Sequence, residues 1–95
     1  MRTPLPYRST PIFDETSLPA ALRAEHRTRP GAWGVVRVLA GCVRYYLDDG
    51  SAEQMLLTPS RPGLIKPGQP HHVEPLGPMR MQVEFYDEPP LLTAG

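Results

Sequence analysis

Between Met79 and Tyr86 apolar and polar positions alternate, with Met81, Val83 and Phe85 on one face and Arg80, Gln82 and Glu84 on the other, where Tyr86 also falls. A period of two marks a half-buried β-strand. Trp33 to Ala40 is rich in valine and predicts a strand buried on at least one side. Cys42 to Leu47 predicts the next strand, with Tyr45 and Tyr46 on opposite faces, and Glu53 to Thr58 returns beside it. Asp48-Asp49-Gly50 between them is a hairpin signal, because Asp-Gly accepts positive φ. Gly63 to Lys66 and His72 to Leu76 predict two more short strands. Roughly six to eight such strands joined by tight turns imply an all-β sandwich or barrel, and closing the sheet would remove exposed strand edges.

The rest of the chain is punctuated rather than periodic. Thirteen prolines and eight glycines leave no room for a long helix, since an interior proline costs a helix ~3 kcal/mol. Ser17 to Arg23 is the one helical turn expected, with Ser17 or Thr16 as cap and Pro19 in the first turn. Met1 to Asp14 reads as an extended arm that packs on the body or on a second subunit, and Asp87 to Gly95 as a tail. The expected organisation is one domain, 1–95, with no repeat and no linker.

Size and charge then narrow the function classes. A chain of 95 residues buries only ~60–65% of its unfolded surface, so dimerisation would help it and a homodimer is expected. Net charge is zero and there is no basic run, which argues against nucleic acid as a partner. No apolar run approaches the roughly 20 residues a membrane span needs, so the expected setting is soluble and cytoplasmic. The single Cys42 rules out an internal disulfide and reads as a small buried hydrophobe. Met55, Met79 and Met81 read as core filler, and Trp33 as core or rim.

Candidate chemistry centres on Pro67-Gly68-Gln69-Pro70-His71-His72-Val73-Glu74, a tight turn followed by two histidines and a carboxylate. On a strand His72 and Glu74 share a face and His71 takes the other. His26 stands ahead of the Trp33 strand, where it could converge with His72, and Glu84 is a carboxylate set between Val83 and Phe85. Two histidines and a carboxylate form a familiar set for zinc or non-haem iron. Surface histidines and a solvated glutamate account for the same residues. Arg27 and Arg29 flank this region and suit an oxyanion at a barrel mouth.

Tyr7 to Phe13, Leu18 to Leu22, His26 to Gly34, Val38 to Gly41, Pro70 to Leu76 and Val83 to Tyr86 follow in order along nearly the whole chain. Together these segments resemble the YeaR-like/TehB-like family of small cupin domains, a family linked by name to tellurite resistance. The resemblance implies a cupin-like double-stranded β-barrel of jelly-roll type with one short helical turn, often dimeric. It also implies an inward histidine at His72, a first motif histidine at His26, an acidic position at Glu84, and His71 as pocket wall or surface. Thr28 and Gly34 stand where general cupins carry two further ligands.

The function expected from the resemblance is a metal-binding small cupin linked to tellurite or oxyanion stress. His26, His72 and Glu84 would be the ligands of a divalent ion, zinc before iron, manganese or nickel, with Glu74 or His71 as substitutes for Glu84. Catalytic residues are not identifiable from the sequence, and a small molecule or an oxyanion is the expected partner. The alternatives are a small metal-dependent cupin enzyme, oxygenase- or hydrolase-like, and a metal-free ligand-binding or dimerisation module.

Overall fold

A computed structural model describes residues 4–25 and 27–91. Among these residues eight strands run in chain order: β1 (Arg8–Ser9), β2 (Phe13–Asp14), β3 (Trp33–Ala40), β4 (Val43–Leu47), β5 (Gln54–Leu57), β6 (Gly63–Ile65), β7 (His71–Pro75) and β8 (Arg80–Tyr86). The only helical element among the described residues is a 3-10 turn, Ala20–Arg23. No helix among these residues is long and apolar enough to cross a membrane.

The strands form two antiparallel sheets. In sheet I, β1 and β2 lie end to end along β8, followed by β3 and β6; sheet II has the order β5-β4-β7. After β3 every connection except the β4–β5 hairpin carries the chain from one sheet to the other. The all-β expectation therefore holds, but among the described residues no strand pairing joins the sheets along both sides, so they face one another without closing. The 3-10 turn lies beside β7 and sets Leu18 and Leu22 against the core on that open side.

Alternation along each strand builds the core between the sheets. Val36 and Val38 from β3, Ile65 from β6, and Met81 and Val83 from β8 face Val43 and Tyr45 from β4, Leu57 from β5 and Val73 from β7. Full burial of side chains of this size contributes about 1.5–3 kcal/mol each. Met79 and Met81 are core as expected, whereas Met55, on edge strand β5, is exposed. Trp33 sits on the outer face of sheet I opposite Tyr86, and Cys42 is only half-buried.

The N-terminal arm docks on its own chain. Tyr7 and Thr10 donate backbone N–H groups to the Phe85 and Val83 carbonyls, each at 2.9 Å, and Val83 N–H donates to Thr10 Oγ1 at 2.9 Å. The helical turn differs from expectation at its start. Thr16 and Ser17 do not cap it; the Asp14 carboxylate instead accepts from Thr16 N–H, Thr16 Oγ1 and Ser17 N–H at 2.8–2.9 Å. A short acidic side chain satisfies several donors of one turn at once, so Asp14 organises the corner and Pro19 merely starts the 3-10 turn.

Candidate functional site

The proposed ligand set does not assemble. His26 lies outside the described residues. His72 and Glu74 do share a face of β7, but it is the outer face of sheet II. His72 stacks on the Tyr46 ring at 4.4 Å between centroids and 8° between planes, and its Nδ1–H donates to Asp48 Oδ2 at 2.7 Å. Glu84 is on the outer face of sheet I, where Arg37 Nε donates to it at 2.8 Å and Tyr86 Oη at 3.1 Å. Both sheets and the core between them separate His72 from Glu84. Among the described residues no three His, Cys, Asp or Glu side chains lie close enough to hold a metal ion.

The reason is strand parity. Val73 is only 3% exposed, and the residue two positions before an inward valine must also point inward. That residue is His71, 3% exposed, so the inward histidine is His71 and not His72. His71 Nδ1–H donates to the Gln69 carbonyl at 2.8 Å, and its ring lies parallel to that of Tyr45, 5.8 Å away. Tyr45 Oη donates to the Leu64 carbonyl at 3.1 Å. Burial pushes the Tyr45 phenol well above its usual pKa, and the Asp48 carboxylate adds to the effect.

His71 helps to line a cavity of ≈ 40 Å³ between the sheets, whose walls include Val36, Ile65, Val73 and Val83, with Thr28 and Phe85 also lining it. Thr28 and Phe85 also line an open groove of ≈ 290 Å³, together with Tyr7, Arg8, Arg27 and Arg29. A second open space of ≈ 460 Å³ continues past Tyr7 and Arg29 to Gly31 and Asp87. The apolar interior and the arginine-lined groove therefore meet at Thr28 and Phe85.

The turn ahead of the histidines positions these arginines. Gly68, at φ +70°, presents its N–H to Thr28 Oγ1 at 3.1 Å, and Thr28 Oγ1 donates to the Lys66 carbonyl at 3.3 Å. Arg27 Nη1 donates to the Gly68 carbonyl at 3.2 Å. Ala32 N–H closes the following turn on the Arg29 carbonyl at 3.1 Å. Arg8 lies over the Phe85 ring with its guanidinium carbon 5.3 Å from the centroid, a cation–π contact that holds a third cation at the groove. Guanidinium forks suit carboxylates and other oxyanions, and their charge survives at any physiological pH. The sequence pointed to Arg27 and Arg29 as anion-attracting, and the resemblance to His71 as pocket wall or surface, of which the structure makes it pocket wall; Arg8 and the anchoring by Thr28 were missed. The signal for His71 was present in Val73, the apolar neighbour that sets the parity of β7.

These features define a small two-sheet β domain with an arginine groove beside an apolar cavity. Its sequence matches the TehB-like domain over residues 8–83. The chain belongs to the TehB-like domain family. It is 30% identical over 74 residues to the probable S-adenosyl-L-methionine-dependent methyltransferase TehB of Haemophilus influenzae, a match covering 74% of this chain and 26% of that protein. The crystal structure of TehB from Haemophilus influenzae superposes with a TM-score of 0.78 at 26% identity, over 86% of this chain and 30% of that one. A structural-genomics protein from Escherichia coli K12 has the same fold, with a TM-score of 0.78 at 24% identity over 94% of this chain and 95% of that one.

The TehB-like part of the expected family is thus established. The metal-binding cupin is not, and the metal-dependent enzyme built on the same ligands falls with it. The relatives carry the name of an S-adenosyl-L-methionine-dependent methyltransferase, and the described residues gather no metal cluster. The divalent ion expected as cofactor is withdrawn on the same two findings. The chain spans about a quarter of the length of the curated relatives it matches, 26%.

Proposed function

We propose that this chain is the anion-recognition module of a TehB-type methyltransferase system, with methyl transfer carried out by a separate domain or chain. The observation that carries this reading is the groove of Arg8, Arg27 and Arg29, with Arg27 and its loop held by the Lys66–Gly68 turn. Two further points support it. The match to TehB covers only 26% of that protein, leaving most of its length for other work. The strand order also supports reading the sheets as a jelly roll in which the 3-10 turn Ala20–Arg23 replaces one strand beside β7.

The described residues do not fit S-adenosylmethionine itself. That cofactor carries a sulfonium and an ammonium cation against a single carboxylate, so its net positive charge is disfavoured beside three arginines. Its nucleoside is far larger than the cavity of ≈ 40 Å³, which has room for roughly three water-sized groups. The module therefore serves the acceptor side of the reaction, concentrating an anion near a methyltransferase centre that it does not contain.

Calorimetric titration of the 95-residue chain with S-adenosylmethionine and with sodium sulfate tests this reading, with NMR shifts locating any response. Sulfate should perturb Arg27 and Arg29 and lose affinity as salt rises, while S-adenosylmethionine should not bind. Stoichiometric cofactor binding, or an anion response away from these arginines, would overturn it.

A further inference from the structure

We infer that the ligand of the groove is a short-chain carboxylic acid, its carboxylate on the arginines and its compact alkyl group in the cavity between the sheets. This rests on the anion-recognition reading and adds to it what the anion must carry. The groove alone would suit any small oxyanion. The groove does not stand alone, however: Thr28 and Phe85 line both it and the inter-sheet cavity, so the charged and the apolar space adjoin at these two side chains. An inorganic anion would fill the charged half and leave the apolar half without a partner.

The cavity sets the size of the alkyl group. At ≈ 40 Å³ it accepts roughly three water-sized groups, which corresponds to a propyl or isopropyl unit. Its walls are Val36, Ile65, Val73, Met81 and Val83, and they match a branched aliphatic group. Polar atoms enter at only a few positions. Thr28 and His71 are both buried and are tied to backbone, Thr28 to Lys66 and Gly68 and His71 to Gln69, so the lining is ordered before a ligand arrives. Acids with long chains would run into the opposite wall, and acetate would underfill the space. Each CH2 group buried should tighten binding about fourfold.

The test is a chain-length series on the intact protein at constant ionic strength, using sulfate, acetate, isobutyrate and octanoate, followed by two-dimensional NMR. The expected result is isobutyrate binding roughly tenfold tighter than acetate, with shifts at His71 and Val73 as well as at Arg27 and Arg29. Octanoate should bind more weakly than isobutyrate. Val36→Leu should abolish the preference for isobutyrate while leaving sulfate binding intact, and the wild-type series decides the matter even if that variant folds poorly. If sulfate, acetate and isobutyrate bind equally, with shifts confined to the arginines, the alkyl subsite is wrong and the anion module stands. If none of them binds, both readings fail.

Discussion

The Gly68 amide donates to the Thr28 hydroxyl at 3.1 Å across forty positions of sequence, and this bond ties the turn before the histidines to the arginine loop. A Pro-Gly turn preceding two histidines invites a metal reading. Here the turn's N–H and carbonyl groups hold Arg27 and Thr28, and the histidines that follow divide between the inside and the outside of sheet II.

Thr28→Val keeps the shape of the side chain and removes its hydroxyl. Thr28 is buried, at 7% exposure, so the Gly68 amide and the Lys66 carbonyl lose their partner. The expected cost is about 1–3 kcal/mol, measured by urea unfolding. Sulfate affinity should fall as well, because Arg27 and Arg29 are no longer held at the groove. Unchanged stability and unchanged affinity would show that the turn does not organise the loop.

Asp14 makes the fold sensitive to acid. Hydrogen bonds from the Thr16 side chain and from the Ser17 and Thr16 amides hold its carboxyl at about 2, below the ordinary 3.8. A depressed acid stabilises the fold above its unfolded pKa, and that contribution disappears as pH falls from 3.8 through about 2. Asp14→Asn should therefore lower the melting temperature at pH 6 and differ little from wild type near pH 2. A constant difference across that range would remove Asp14 as the source.

Arg37 and Glu84 pair across neighbouring strands β3 and β8 at 2.8 Å, and the pair is half-buried. Glu84→Gln should destabilise the protein by about 1–2 kcal/mol and leave its metal content unchanged, since Glu84 serves Arg37 and Tyr86. His72→Ala should likewise leave elemental analysis unaltered. A stoichiometric metal lost in either variant would reinstate the ligand reading.

Gly41 turns the chain from sheet I to sheet II at φ +73°. A Cβ there would run into the Pro78 carbonyl oxygen and crowd Met79 Cα. Gly41→Ala combines a left-handed backbone cost of about 1 kcal/mol with that clash, so thermal unfolding should shift down by several degrees. Gly50→Ala is the control: its φ is also positive but its Cβ would meet nothing within 4 Å, so its loss should be smaller.

Much of the fold was legible. Proline spacing and period-two alternation placed the strands from β3 to β8 within a residue or two of their observed limits. Asp48-Asp49-Gly50 began the β4–β5 loop, although that loop runs on to Glu53, where Leu47 N–H meets the Glu53 carbonyl at 2.9 Å. The β8 alternation put Met81, Val83 and Phe85 on one face, which the structure turns toward the core. The helical corner was placed but its controlling residue was missed, because Asp14 acts through bonds to residues two and three further on.

The sequence by itself determined which stretches are strands and which residues share a face, because both follow from local sterics and the two-residue repeat. It did not determine which face is the inside of each sheet. That depends on which strands pair and on how the sheets meet, through contacts between residues tens of positions apart. Hence the sharing of a face by His72 and Glu74 could be read in advance, while the separation of His72 from Glu84 by the whole sandwich could not. Only the tertiary structure brought Arg8 from the first strand, Arg27 and Arg29 from a loop, and Phe85 from the last strand to one groove.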